Sequence, residues 1–167
     1  ISITPGLSYQ YVKFDDTDYR VDDDNTNAGF LNGSPSLNTL AGFVRTDINV
    51  TEKWRVLAAL RADKFSSPDK TYLAYELAST YKLNENNLVR IAVTRSNSGS
   101  FIGYNYLNVI VPTPVPGLNV TQTGNTNLNL FTINMIELGY RAQLTKSLQL
   151  DIDVFNQRAE NFTEITA

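Results

Sequence analysis

The side chains able to do chemistry in this sequence are mainly arginines and carboxylates set at alternate positions. They are Arg45 and Asp47, Arg61 and Asp63, Arg90, Glu137 and Arg141, and Asp151 and Asp153. Residues two apart share a strand face, so Asp151 and Asp153 form the kind of carboxylate pair that acid–base catalysis uses. Nothing in the sequence, however, sets a substrate between them or shifts their acidity. The chain has no histidine and no cysteine. That removes the commonest general base, thiolate nucleophiles, disulfides and the usual zinc sites together. The expectation is a protein that is not an enzyme, with no catalytic residue, metal or cofactor.

Two further clusters carry chemistry of a binding kind. Asp15, Asp16, Asp18, Asp22, Asp23, Asp24, Asn25 and Asn27 supply the oxygen ligands that calcium prefers, but without the central Gly and final Glu of an EF-hand. A solvated acidic loop is the expected reading. Aromatic rings gather in two other stretches, with Phe14, Tyr19 and Phe30 in the first and Phe101, Tyr104 and Tyr106 in the second. Flat rings stack on sugars and apolar ligands, so Phe101, Tyr104 and Tyr106 are the candidate ligand contacts. The plainer account is that they pack their loop against its neighbours, and Pro112, Pro114 and Pro116 stiffen that same loop. The three Asn-x-Thr sequons, at Asn49, Asn119 and Asn161, read as chance.

The elements that must position these groups follow a period of two. Ile1, Ile3, Pro5, Leu7, Tyr9 and Tyr11 alternate with Ser2, Thr4, Gly6, Ser8 and Gln10. Like alternation, cleanest in 132–144, predicts strands at about 1–12, 38–50, 54–64, 71–82, 88–96, 132–144, 148–158 and 161–167. In 54–64, Leu57 and Ala59 blur the pattern. No stretch shows a convincing period of 3.6, so the chain reads as all-β, an antiparallel assembly of about eight strands. A net charge of −3 and a pI near 4.9 give no footprint for nucleic acid. No run of 18 apolar residues exists to form a membrane helix, and the first residues lack the order of a signal peptide.

The connections sharpen this. Thr51-Glu52-Lys53, Asn84 to Asn87 and Thr145-Lys146-Ser147 are tight polar turns that all fall at one end of an antiparallel array. The long connections, 13–37 and 97–131, fall at the other. Short turns on one rim, long loops on the other and strands of about 10–13 residues are the pattern of an outer-membrane β-barrel. Trp54 and Tyr81 sit where strands meet the short turns, as members of an interfacial aromatic girdle do. With the apolar faces toward lipid, Arg45, Asp47, Arg61, Asp63, Arg90, Glu137, Arg141, Asp151 and Asp153 would line the lumen. There they would either pair among themselves or meet another domain.

Several stretches resemble the barrels of TonB-dependent outer-membrane receptors, in order along the chain. Leu60 to Phe65, then Ser67-Pro68, then Tyr75 to Leu83 are similar to that family's strand, Ser-Pro loop and strand ending in an aromatic and Lys. Leu88 to Ser96 resembles the strand that enters a large loop. Gly124-Asn125-Thr126-Asn127-Leu128, followed by Ile136 to Arg141, resembles the family's Gly-Asn-x-x-Leu element and its Glu-x-Gly-Tyr/Phe-Arg strand. Leu148 to Asn156 and Arg158 to Phe162 resemble the strand and crossing that come next. The likeness covers roughly residues 60–165, and the first third matches only in pattern.

What the resemblance implies is a segment of a larger barrel, without plug, TonB box or closing strand. Its function would be uptake of a scarce iron chelate, cobalamin or glycan with energy supplied through TonB. The implied partners are outer-membrane lipid, the plug and remaining barrel of the same receptor, and TonB through that plug; whether a surface lipoprotein caps the loops is left open. Two alternatives remain open at this stage. One is a complete eight-stranded membrane-anchoring barrel. The other is a soluble β-sandwich binding module, whose greasy faces would interlock between two sheets.

Overall fold

A computed structural model describes residues 1–16, 30–31 and 34–162. The period-two segments form seven long strands: β1 (Ser2–Lys13), β2 (Ser36–Asn49), β3 (Trp54–Phe65), β4 (Thr71–Asn84), β5 (Asn87–Asn97), β8 (Thr132–Thr145) and β9 (Leu148–Glu160). Between β5 and β8 lie a one-turn helix α1 (Ile102–Tyr106) and a small hairpin, β6 (Asn108–Pro112) and β7 (Asn119–Thr123). The long strands make one antiparallel sheet in the order β1-β2-β3-β4-β5-β8-β9. Every neighbour in it is also the next long strand in sequence.

Within the described residues the sheet does not close, because β1 and β9 each have one neighbour. No second layer covers the apolar face either, which is the arrangement a sandwich requires. Asn161 and Phe162 lie beyond the end of β9, Asn161 with φ of 62°, and the rest of the expected strand 161–167 lies outside the described residues.

Each tight turn is closed by a side-chain oxygen. Thr51 Oγ1 accepts the Lys53 and Trp54 amides at 3.2 and 3.0 Å, Asn84 Oδ1 accepts the Asn86 amide at 2.9 Å, and Thr145 Oγ1 accepts the Ser147 amide at 3.2 Å. This is why Asn and Thr stand there: short side chains complete a turn that the backbone alone leaves unpaired.

Register fixes which side chains share a face. Ile1, Ile3, Leu7, Leu40, Val44, Leu60, Leu77, Ile91, Leu138, Ile152 and Val154 fall on one face and are exposed. Thr46 and Ser79 interrupt that face, and the Ser79 hydroxyl accepts the Trp54 indole N–H at 2.9 Å. Leu57 and Ala59, which blurred the pattern, belong to the opposite face. Leu57 pairs with Asp47 and Ala78, and Ala59 pairs with Arg45 and Glu76, so both form a half-buried apolar floor among charges.

The apolar face ends toward the long connections at a sharp border. Its last apolar residues are Tyr11, Leu40, Ala62, Leu73, Val93, Ile136 and Val154, one per strand. The next outward residues are Lys13, Asn38, Lys64, Thr71, Arg95, Asn134 and Asn156, all polar. Followed along the paired residues, the border falls from β1 to β9 in uneven steps, level between β3 and β4 and between β5 and β8 and steepest between β4 and β5. A drop of about ten residues in six strand steps, at ~3.3 Å per residue and ~4.8 Å per strand, corresponds to a tilt of roughly 45–50° from the normal to that border. Strands that cross a bilayer run at about 45°.

Candidate functional site

All nine charged residues singled out from the sequence lie on the face opposite the apolar one, and most pair across strands. Arg55, on the β3 side of the turn, holds Asp47 with two nitrogens, its Nε reaching Oδ1 at 2.8 Å. Arg61 binds Asp63 two residues on at 2.7 Å, donates to Ser8 Oγ at 3.2 Å and stands 6.0 Å from the centre of the Phe43 ring. Arg90 bridges Glu137 at 2.7 Å and Glu76 at 3.7 Å, which ties β4, β5 and β8 together. Arg141 pairs with Asp151, to which Gln149 also donates.

Asp153 packs over Gly139, where a Cβ would come within 2.6 Å of its Oδ1. Arg45 shares the face with Asp47. Sequence reasoning left Arg55 and Glu76 off its list of wall charges and gave no role to the amide of Gln149. The signal was the same alternation, since each occupies the polar parity of its strand. Seven of the nine take part in ion pairs along this face, and Asp151 is held by Arg141. Among the described residues no group of three His, Cys, Asp or Glu is placed to hold a metal.

Near the long connections the charged face turns apolar, with Val12, Leu37 and Phe65, and the 97–131 connection folds over it there. Ser98, Gly99 and Ser100 share a cavity of about 340 Å³ with Leu37, Phe65, Arg61 and Asp63. The connection is built, not loose. Asn105, on α1, is buried and donates to Ser100 Oγ at 2.7 Å and to the Ser67 carbonyl at 3.4 Å, while Ser100 also donates to that carbonyl. Ser67 Oγ in turn donates to the Thr126 carbonyl at 3.1 Å, and the Leu130 amide donates to Tyr72 Oη at 3.2 Å.

The Gly124-Asn125 element has a physical reason as well. A Cβ on Gly124 would sit 2.6–2.7 Å from backbone atoms of Tyr104, Asn105 and Leu107, so only glycine lets the chain pass that close. Asn125 Oδ1 then accepts the Asn127 amide at 2.9 Å, turning the chain toward β8.

The base of the first long connection docks on the second. Buried Asp16 accepts the Phe30 and Leu31 amides at 2.6 and 2.9 Å, Leu31 bridges to Leu107, and the Asn108 amide donates to the Phe30 carbonyl at 2.9 Å. The rest of the acidic cluster, read from the sequence as a solvated loop, falls mostly outside the described residues.

Of the candidate aromatics, Phe101 and Tyr104 are exposed and meet edge to face at 4.9 Å, whereas Tyr106 is half-buried. Phe101 and Tyr104 line a second cavity of about 340 Å³ together with Asn105, Leu128, Phe131 and Phe162. Phe131 and Phe162 form another edge-to-face pair at 5.1 Å. The two cavities share Ser98 and Gly99. Sequence reasoning missed Phe131, Phe162, Leu128 and the Asn105 anchor, because the contacts that assemble them span 30 to 60 residues and leave no periodic trace.

Comparison with known proteins gives one consistent answer. A family model described as TonB dependent receptor-like, beta-barrel, matches residues 2–166. Among solved structures, the siderophore receptor PirA from Acinetobacter baumannii matches with a TM-score of 0.76 at 17% identity. Two variants of the ferric enterobactin receptor PfeA from Pseudomonas aeruginosa match with TM-scores of 0.71 and 0.73 at 15% and 14% identity. Each comparison covers 95% of this chain and 24% of the other, so the chain spans about a quarter of the length of the structures it matches. At these identities the likeness is one of fold. Among curated proteins, none matches the chain in sequence.

Proposed function

This chain belongs to the TonB dependent receptor-like β-barrel family, and from that premise we propose that it forms part of the wall of a receptor that takes up a scarce ligand across the bacterial outer membrane. The family is one of receptors and not of enzymes. The observation that carries the reading is the slanted border of the apolar face, with one polar residue per strand beyond it. A soluble sheet has no reason to align that border across seven strands. A bilayer supplies the reason, since hydrocarbon ends at one depth for every strand that crosses it.

On this reading the apolar face meets lipid, and the lattice of Arg55, Asp47, Arg90, Glu137, Arg141 and Asp151 faces the lumen and the plug of the whole receptor. The 14–35 and 98–131 connections lie outside the cell, and the short turns lie in the periplasm. Phe101, Tyr104 and the half-buried Tyr106 contact the ligand as it arrives, and energy for its release inward comes through TonB acting on the plug.

The test uses the full-length receptor in cells. It should fractionate with the outer membrane, migrate faster on gels before heating than after, and support ligand uptake that stops when TonB is deleted. Recovery in the soluble periplasmic fraction would overturn the reading.

A further inference from the structure

Ser96 to Ile136 is a stretch of 41 residues without one Asp, Glu, Lys, Arg or His. At the chain-wide charged fraction of 19% it would carry about eight charges. The aromatic cavity lies almost wholly inside it, Phe162 being the exception and likewise uncharged. The cavity's polar groups are amides and hydroxyls, and the Asn105 amide is already committed to Ser67 and Ser100.

Lys70 reaches this wall, its ammonium donating to Asn129 Oδ1 at 2.8 Å from an exposed position where solvent screens a charge contact. None of the described residues that line the cavity is charged, and Lys70 touches it through Asn129 from outside.

We propose that this cavity takes an uncharged ligand with a flat apolar face, such as an aryl group or a pyranose ring, and discriminates against polyanionic chelates. The proposal deepens the receptor reading and rests on it for the ligand's arrival. An anion that enters among Phe101, Tyr104, Leu128 and Phe131 gives up hydration with no cation inside to replace it, whereas an uncharged ring loses little and gains stacking area. About 340 Å³ is the size of a small-ligand pocket and holds one ring with its linker.

A matched pair of probes tests this on the purified full-length receptor. Phenyl β-glucoside and phenyl β-glucuronide differ by one carboxylate, and saturation-transfer NMR reads weak binding of both. The glucoside signal should exceed the glucuronide signal about fivefold or more and should fall to background in a Phe101→Ala/Tyr104→Ala double variant. Leu128→Lys, which brings a cation into the cavity, should raise the glucuronide signal instead. Equal or stronger glucuronide binding by the unaltered receptor, a glucoside signal unchanged in the double variant, or no signal from either probe would overturn the proposal. TonB-dependent uptake in the same strain separates the two readings. Glucuronide preference with uptake intact discards the uncharged-ligand inference alone, whereas a receptor absent from the outer membrane discards the parent reading.

Discussion

Arg90 sits between two carboxylates, Glu137 at 2.7 Å and Glu76 at 3.7 Å, on three successive strands of the sheet. Removing its charge leaves two acids facing each other on one wall, and Glu137 is mostly shielded from solvent. Arg90→Met should therefore lower stability by about 1–2 kcal/mol, and adding Glu137→Gln should restore part of that loss. Denaturant titration of the full-length receptor in detergent reads both, and a double variant no more stable than the single one would sink the coupling. The choice of partner was not legible in the sequence. Alternation puts Arg90 and Glu137 on polar faces, but only the register Ala92 to Glu137 brings them together across 47 residues. Asp47 likewise takes its hydrogen bonds from Arg55, diagonal to it across the turn, not from Arg45 two residues back on its own strand.

The long strands were readable because each has one apolar and one polar side, and a period of two records that directly. Even so, 54–64 was readable only in part, since Leu57 and Ala59 are apolar residues on the charged side. The 98–131 connection was opaque for a different reason. Its α1 helix is a single turn, too short to show a period, and its fold is set by Asn105 on Ser67 and by Gly124 against the α1 backbone. Gly124→Ala tests that account. The added methyl meets backbone at 2.6 Å, so the β6–β7 hairpin should lift off α1. Limited proteolysis should then cut within 108–123 at least several times faster while the long strands stay protected. An unchanged cleavage pattern would show that the hairpin is held by other contacts.

At the scale of the whole molecule, the two faces of the sheet should respond oppositely to the same charge. Leu138 lies in the middle of the apolar face and Thr94 on the opposite one. Leu138→Arg should destabilise the folded receptor in phosphatidylcholine vesicles by about 2–4 kcal/mol, and Thr94→Arg by less than about 1 kcal/mol. Reversible folding titrations of the full-length receptor measure the difference, and equal costs would contradict a lipid-facing side. The outer edges of β1 and β9, unpaired among the described residues, carry a further consequence for the order of assembly on the proposed membrane reading. Each edge presents a row of amide and carbonyl groups that neither water nor acyl chains can satisfy once the wall is within hydrocarbon, at several kcal/mol per orphaned group. Insertion of these seven strands ahead of their flanking neighbours is therefore uphill. On that membrane reading the seams on both sides are zipped as the wall enters the bilayer, which would make folding and membrane entry one event.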